Sequence, residues 1–161
     1  MGWVSTMSWF TTLVLVPGDT PDDAIADAVA ALLAPYDRDY AVAAYQEDCL
    51  CSHADPHATP DPHCAECHGT GALWTTVNPQ GYWESWTIGG GTCDHWLGPT
   101  HTMRAGDAAA AGKVPFALVT CDGRWQGGWH SPLKGEAWNA AALDLLRSHG
   151  DALAVACTLH D

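Results

Sequence analysis

The chain has 161 residues, 47% of them hydrophobic, and a formal net charge of -13 from 19 Asp and Glu against 6 Lys and Arg. At this length one domain, spanning 1–161, with a core of ordinary size is the natural expectation. The chain lacks a basic footprint, so direct binding to nucleic-acid phosphates is disfavoured, and no apolar run reaches the ~18 residues of a membrane span.

Ser8 to Val16 is β-branched and aromatic and stops at Pro17-Gly18, which predicts a buried strand. No basic stretch precedes this apolar run, so it is not read as a signal peptide. Asp19 or Thr20 then caps a helix, with Pro21 at its first position and Asp22 and Asp23 in its first turn. Ile25, Val29, Leu32 and Leu33 recur at helical spacing, and Pro35 ends the run. After a cysteine-rich stretch, Ala72 to Val77 and Tyr82 to Ile88 flank Asn78-Pro79-Gln80-Gly81 and read as a hairpin. Lys113 to Cys121 is a second buried strand, and Asp122-Gly123 turns it back along Arg124 to Trp129. Gly135 to His149 is a helix with Trp138, Ala142, Leu145 and Leu146 on one stripe and Gly150 at its C-cap. Ala152 to Leu159 is the last strand. The order implies an α+β fold. The expected form is a mainly antiparallel sheet with two helices on one face, for which a decorated ferredoxin-like arrangement is one solution, and an inserted zinc-binding loop at about 49–71.

That loop carries the strongest chemical signal. Cys49-Leu50-Cys51 and Cys64-Ala65-Glu66-Cys67 are two close pairs separated by a proline-punctuated spacer with no large apolar anchor. Four thiolates from two pairs close a tetrahedral structural Zn2+ site, and such a spacer is ordered by its metal rather than by its own packing. His53, His57, His63 and His68 are competing ligands, any of which can replace a cysteine of the first pair. Seven cysteines, four of them spaced as ligands rather than bridges, suggest a reducing, cytoplasmic setting.

Nine tryptophans form the second signal. Trp9 and Trp138 read as core. Trp83, Trp86, Trp125 and Trp129, with Trp96, sit near glycines at strand ends and loops. Rings so placed either fill a core that short strands leave open or form a binding platform. His95, His101, His130 and His160, with nearby aspartates such as Asp94, Asp122 and Asp161, are candidates for a second metal or an acid–base site. No phosphate-cradling glycine loop, H-E-x-x-H or G-x-S-x-G motif is present.

Two resemblances add to this. Cys67-His68-Gly69-Thr70-Gly71 resembles half of the CxxCxGxG repeat of DnaJ-type zinc modules. With a single copy, neither that fold nor its chaperone function carries over. The strand Ser8 to Val16, Glu47-Asp48-Cys49-Leu50-Cys51, Cys64 to Gly71, the Asn78 to Gly90 stretch and Pro115 to Gly123 together look like a family of small proteins encoded by phages and actinobacteria. That resemblance implies a phage-related accessory protein and carries no catalytic residues.

The expected function is therefore a non-catalytic, zinc-stabilised binding protein. Its partner is another protein or a small ligand, met through an acidic, Trp-rich surface; a phage protein of this kind acts on a host defence component. The alternative is a metal-dependent hydrolase or nuclease-like phosphodiesterase built on the histidines and aspartates.

Overall fold

The computed structural model describes residues 8–53 and 59–161; His57, Trp3 and the side chain of His53 lie outside the described set. Within it, eight strands and four helices give mixed secondary structure, and the sheet is mainly antiparallel, as an α+β chain requires. The chain divides into two compact units, Met1–Arg38 with Gln80–Asp161, and Asp39–Pro79.

The first unit is built on β1 (Trp9–Val16) and β8 (Leu153–His160), which pair antiparallel along their full lengths, from Trp9 opposite His160 to Val16 opposite Leu153. On the far side of β1 runs β6 (Ala117–Val119), parallel to it, with Leu13 opposite Leu118. From β6, the turn at Asp122-Gly123 returns β7 (Trp125–Gly127) antiparallel, as its sequence predicts. On the far side of β8, β4 (Ser85–Ile88) and β5 (Thr102–Arg104) lie end to end and share one edge. Residues 89–101 leave that edge and come back to it: the Gly89 N–H donates to the Ala156 carbonyl at 2.8 Å, and the Ala156 N–H donates to the His101 carbonyl at 2.9 Å.

Both faces of β1 and β8 are apolar, because neither strand alternates polar with apolar residues. One face sets Leu13, Leu15, Leu118, Ala154 and Ala156 against two helices, α3 (Ala105–Ala110) and α4 (Gly135–Ser148). The other sets Phe10, Val14, Val119, Val155 and Leu159 against α1 (Ile25–Leu33), whose buried residues Ile25, Val29 and Leu33 match the expected stripe. The two long helices therefore stand on opposite faces, not on one. A strand buried on both sides leaves two apolar surfaces exposed to water, and each needs its own cover. Burying a leucine such as Leu13, Leu118 or Leu146 contributes about 1.5–3 kcal/mol.

Local chemistry fixes the helix positions. A 3-10 turn over Asp22–Ala24 leads into α1, with Pro21 ahead of it and no side-chain cap; the Thr20 hydroxyl donates to the Pro17 carbonyl instead. On α4, the Trp138 indole N–H donates to the Pro115 carbonyl at 2.9 Å, and its ring lies on the backbone of Gly127. A Cβ at Gly127 would stand 2.5 Å from that ring, and its φ of +80° also favours glycine, so the turn out of β7 and the seating of α4 depend on the same residue.

The expected hairpin around Asn78-Pro79 is absent from the described structure. Its first arm is β3 (Ala72–Thr75), which pairs with β2 (Tyr45–Asp48) in the second unit; its second arm, β4, pairs with β8 in the first. Alternation and a turn signal predict that strands exist but do not choose their partners, and the boundary between units falls at that turn.

Candidate metal centre

The second unit is organised by β2 and β3, paired from Tyr45 opposite Thr75 to Asp48 opposite Ala72. Cys49 extends this ladder by one bond, its N–H donating to the Gly71 carbonyl at 2.8 Å. A single helical turn, α2 (Leu50–His53), follows and carries Cys51 as its second residue. The Ser52 hydroxyl locks that turn by bonding to the Cys49 and Gly71 carbonyls. The second pair sits on a tight knuckle: the His68 N–H donates to the Cys64 carbonyl at 2.9 Å, and the Thr70 hydroxyl to the Cys67 carbonyl at 2.7 Å. His68, Gly69 and Gly71 have φ of 52°, 86° and 74°, so the knuckle closes through the left-handed region. A Cβ on Gly71 would meet the Pro60 ring at 2.7 Å, and one on Gly69 the Pro62 Cα at 3.1 Å. The two glycines are what let the proline-rich spacer lie against the knuckle.

These elements bring Cys49, Cys51, Cys64 and Cys67 together, with their sulfurs all within 4.8 Å of one another. Cys49 and Cys64 are 3.7 Å apart and Cys51 and Cys67 3.5 Å apart, too far for a disulfide. Thiolates bound tetrahedrally to one ion at about 2.3 Å stand about 3.8 Å from each other. The four cysteines thus fit a single metal ion with no ligand position left over. His63 and His68 are exposed and do not join the group.

The sulfurs influence one another's protons. Burial alone would push the Cys67 thiol up, but the Gly71 backbone N–H, the Cys51 thiol and the Gly69 N–H hold it down to about 6. For Cys51 the Asp61 backbone N–H acts downward, yet burial and the contacts to Cys67, Cys49 and Cys64 push it up to about 12. Four sulfurs at this range do not all ionise without a cation among them, so metal binding is linked to proton release.

The other candidates are dispersed. Trp83 is 7% exposed and its indole N–H donates to the Leu33 carbonyl at 3.0 Å, so of the two readings open to it this ring fits core filling. Trp83 bridges to Asp37 before β4 begins, so the alternation that would oppose it to Trp86 has not started; both rings face the α1 side of the core. Trp125 is half-buried among Tyr36, Tyr82 and Phe10, with ring centroids 5.2, 5.1 and 6.4 Å away. Trp129 is exposed. Trp138 is core, but Trp9 is 58% exposed. It shares the α4 face with Leu13 and Leu15, yet occupies the first position of the strand, where none of the described helices covers it.

The histidines do not form one centre. His95 and His101 are neighbours, with ring centroids 6.2 Å apart; His130 stacks on Tyr82 at 4.8 Å. His160, nearly buried, bonds through Nδ1 to Glu84 at 2.8 Å and packs on the Trp9 ring. Glu84 also pairs with Arg38 at 2.8 Å, and Arg38 with Asp161 at 2.5 Å. No local sequence signal joins these ion pairs, because Arg38 lies 46 and 123 residues from its partners Glu84 and Asp161. Asp122 closes the β6–β7 turn, where the Thr120 hydroxyl and then Arg124 hold its carboxyl below the ordinary range. Among the described residues, no helix is long and apolar enough to cross a membrane.

The fold and site together define an α+β chain carrying a four-cysteine knuckle able to hold a metal ion. No protein family, curated protein or solved structure matches the chain.

Proposed function

We propose that this chain is a non-catalytic binding protein whose Asp39–Pro79 unit is held by one structural zinc. The observation that carries the reading is the closed group of four sulfurs, all within 4.8 Å of one another, with the 3.7 and 3.5 Å pairs close to the edge of a zinc tetrahedron. An all-thiolate shell leaves no position for a metal-bound water, so the ion stabilises and does not hydrolyse. Thiolate softness favours zinc over magnesium, calcium or manganese. The binding role is supported by Trp9 and Trp129, indoles more than half exposed that line one groove of the first unit with Trp96 and Phe116, since a contiguous exposed aromatic patch is a mark of a binding surface.

Metal content tests the zinc. Chain purified without chelator should carry one zinc per molecule through dialysis, and Cys64→Ser or Cys67→Ser should lose it. Iron in place of zinc, or a metal-free chain with a full complement of free thiols, would overturn the assignment. A second, exchangeable ion would return the hydrolase alternative.

A further inference from the structure

We propose that the first unit binds a neutral, gluco-configured oligosaccharide in the groove between Trp9, Trp96 and Trp129. This names the ligand class for the binding role above and rests on that reading. The groove encloses about 410 Å³, within the range of small-molecule sites, and its walls are Trp9, Trp96, Trp129 and Phe116. Among the described residues, no charged side chain lines it. Two lysines stand beside it without entering that lining: Lys113 lies over the Trp96 ring at 5.8 Å, and Lys134 donates to the Gly128 and Trp129 carbonyls at 2.9 and 3.0 Å. A phosphate-bearing ligand finds no cation in the lining itself, and the net charge of -13 works against it further.

The polar floor has a direction. The Thr158 hydroxyl donates to the Gly90 carbonyl at 2.6 Å, which commits its proton. Thr92 stands 3.4 Å from Thr158 and so can only donate to it, while Thr11 donates to Thr92 at 2.8 Å. The chain of hydroxyls begins in the groove at Thr11, which among the described residues uses its Oγ1 as a donor, leaving its lone pairs for a ligand's donor. A second groove shares Trp9 and Thr92 and continues past Thr158, so the surface is elongated.

A ligand for this surface is uncharged, presents C–H faces to indole rings, carries O–H donors around its rim and extends beyond one ring. An equatorially substituted pyranose chain has each of these properties. A quaternary ammonium ion stacks on indoles but has no proton for Thr11. A nucleoside stacks too, yet without a chain it leaves the second groove empty.

The test is calorimetric titration of the full-length, zinc-loaded protein with cellohexaose and chitohexaose, followed in parallel by tryptophan fluorescence. Binding with an indole emission shift is expected. Trp9→Ala and Trp129→Ala should each weaken it at least tenfold, Thr11→Val severalfold, and Trp74→Ala, on the other unit, not at all. Circular dichroism and the thermal midpoint establish that each variant is folded; if Trp9→Ala unfolds, the exposed Trp129→Ala decides. Absence of binding at millimolar oligosaccharide, binding indifferent to Trp129→Ala, or preferential binding of adenosine or choline overturns the proposal. Because zinc is assayed on the same sample, a zinc-loaded chain that ignores the sugars sinks this inference alone.

Discussion

Thr12 shows how one side chain works against its surroundings. It is fully buried on the α1 side of β1, and among the described residues its Oγ1 has no hydrogen-bond partner. Its neighbours along the strand, Val14 and Val16, occupy equivalent positions with the same branched shape and no hydroxyl. A buried hydroxyl left unpaired costs about 1–3 kcal/mol, so Thr12→Val should raise stability by about 1 kcal/mol. Urea unfolding should show a higher midpoint with an unchanged slope. A lower midpoint would mean that the hydroxyl is satisfied in solution and that the substitution breaks a bond.

At the scale of elements, the β2–β3 ribbon cannot account for its own stability. Two strands alone are marginal in water, and the buried side chains of the second unit, among the described residues, are Cys49, Cys67 and Asn78. Two of those three are the proposed ligands, so the metal takes the place of an apolar core. Structural zinc in small domains contributes about 10–16 kcal/mol in apparent terms, far more than the ribbon's exposed side chains offer. Chelation at neutral pH should therefore abolish amide protection over residues 45–48 and 72–75 and leave β1 and β8 protected. Acid should do the same. The thiolate–metal bonds are present at neutral pH and lost as pH falls, because protons then compete for the sulfurs. Hydrogen exchange read by mass spectrometry checks both, and a ribbon that stays protected without metal would remove the zinc from its structural role.

The whole molecule is a sheet unit interrupted by an insertion. The two sides of the interruption are already tied within the first unit: the Tyr82 N–H donates to the Tyr36 carbonyl at 2.8 Å and the Arg38 N–H to the Trp83 carbonyl at 2.9 Å. The chain therefore leaves and rejoins this unit at neighbouring points. Replacing residues 39–79 with a short Gly-Ser linker should yield a folded sheet with a cooperative thermal transition. Removing residues 153–161 should not, since β8 pairs with β1, β4 and β5 at once. A linker variant that melts without cooperativity would show that the insertion is needed for the sheet.

The sequence by itself determined what is local. The apolar runs of β1 and β8, the stripe of α1, the Asp122-Gly123 turn and the cysteine knuckle with its two glycines were all legible, because periodicity, turn chemistry and ligand spacing act within a few residues. Only the tertiary structure decided what is distant: that β4 leaves its expected hairpin for β8, that the helices divide between two faces, that Trp83 is buried while Trp9 is exposed, and that Glu84 meets Arg38 and His160. Each of these turns on which partner a strand takes, and that choice follows from how the whole chain shares its apolar surface, which no short stretch encodes.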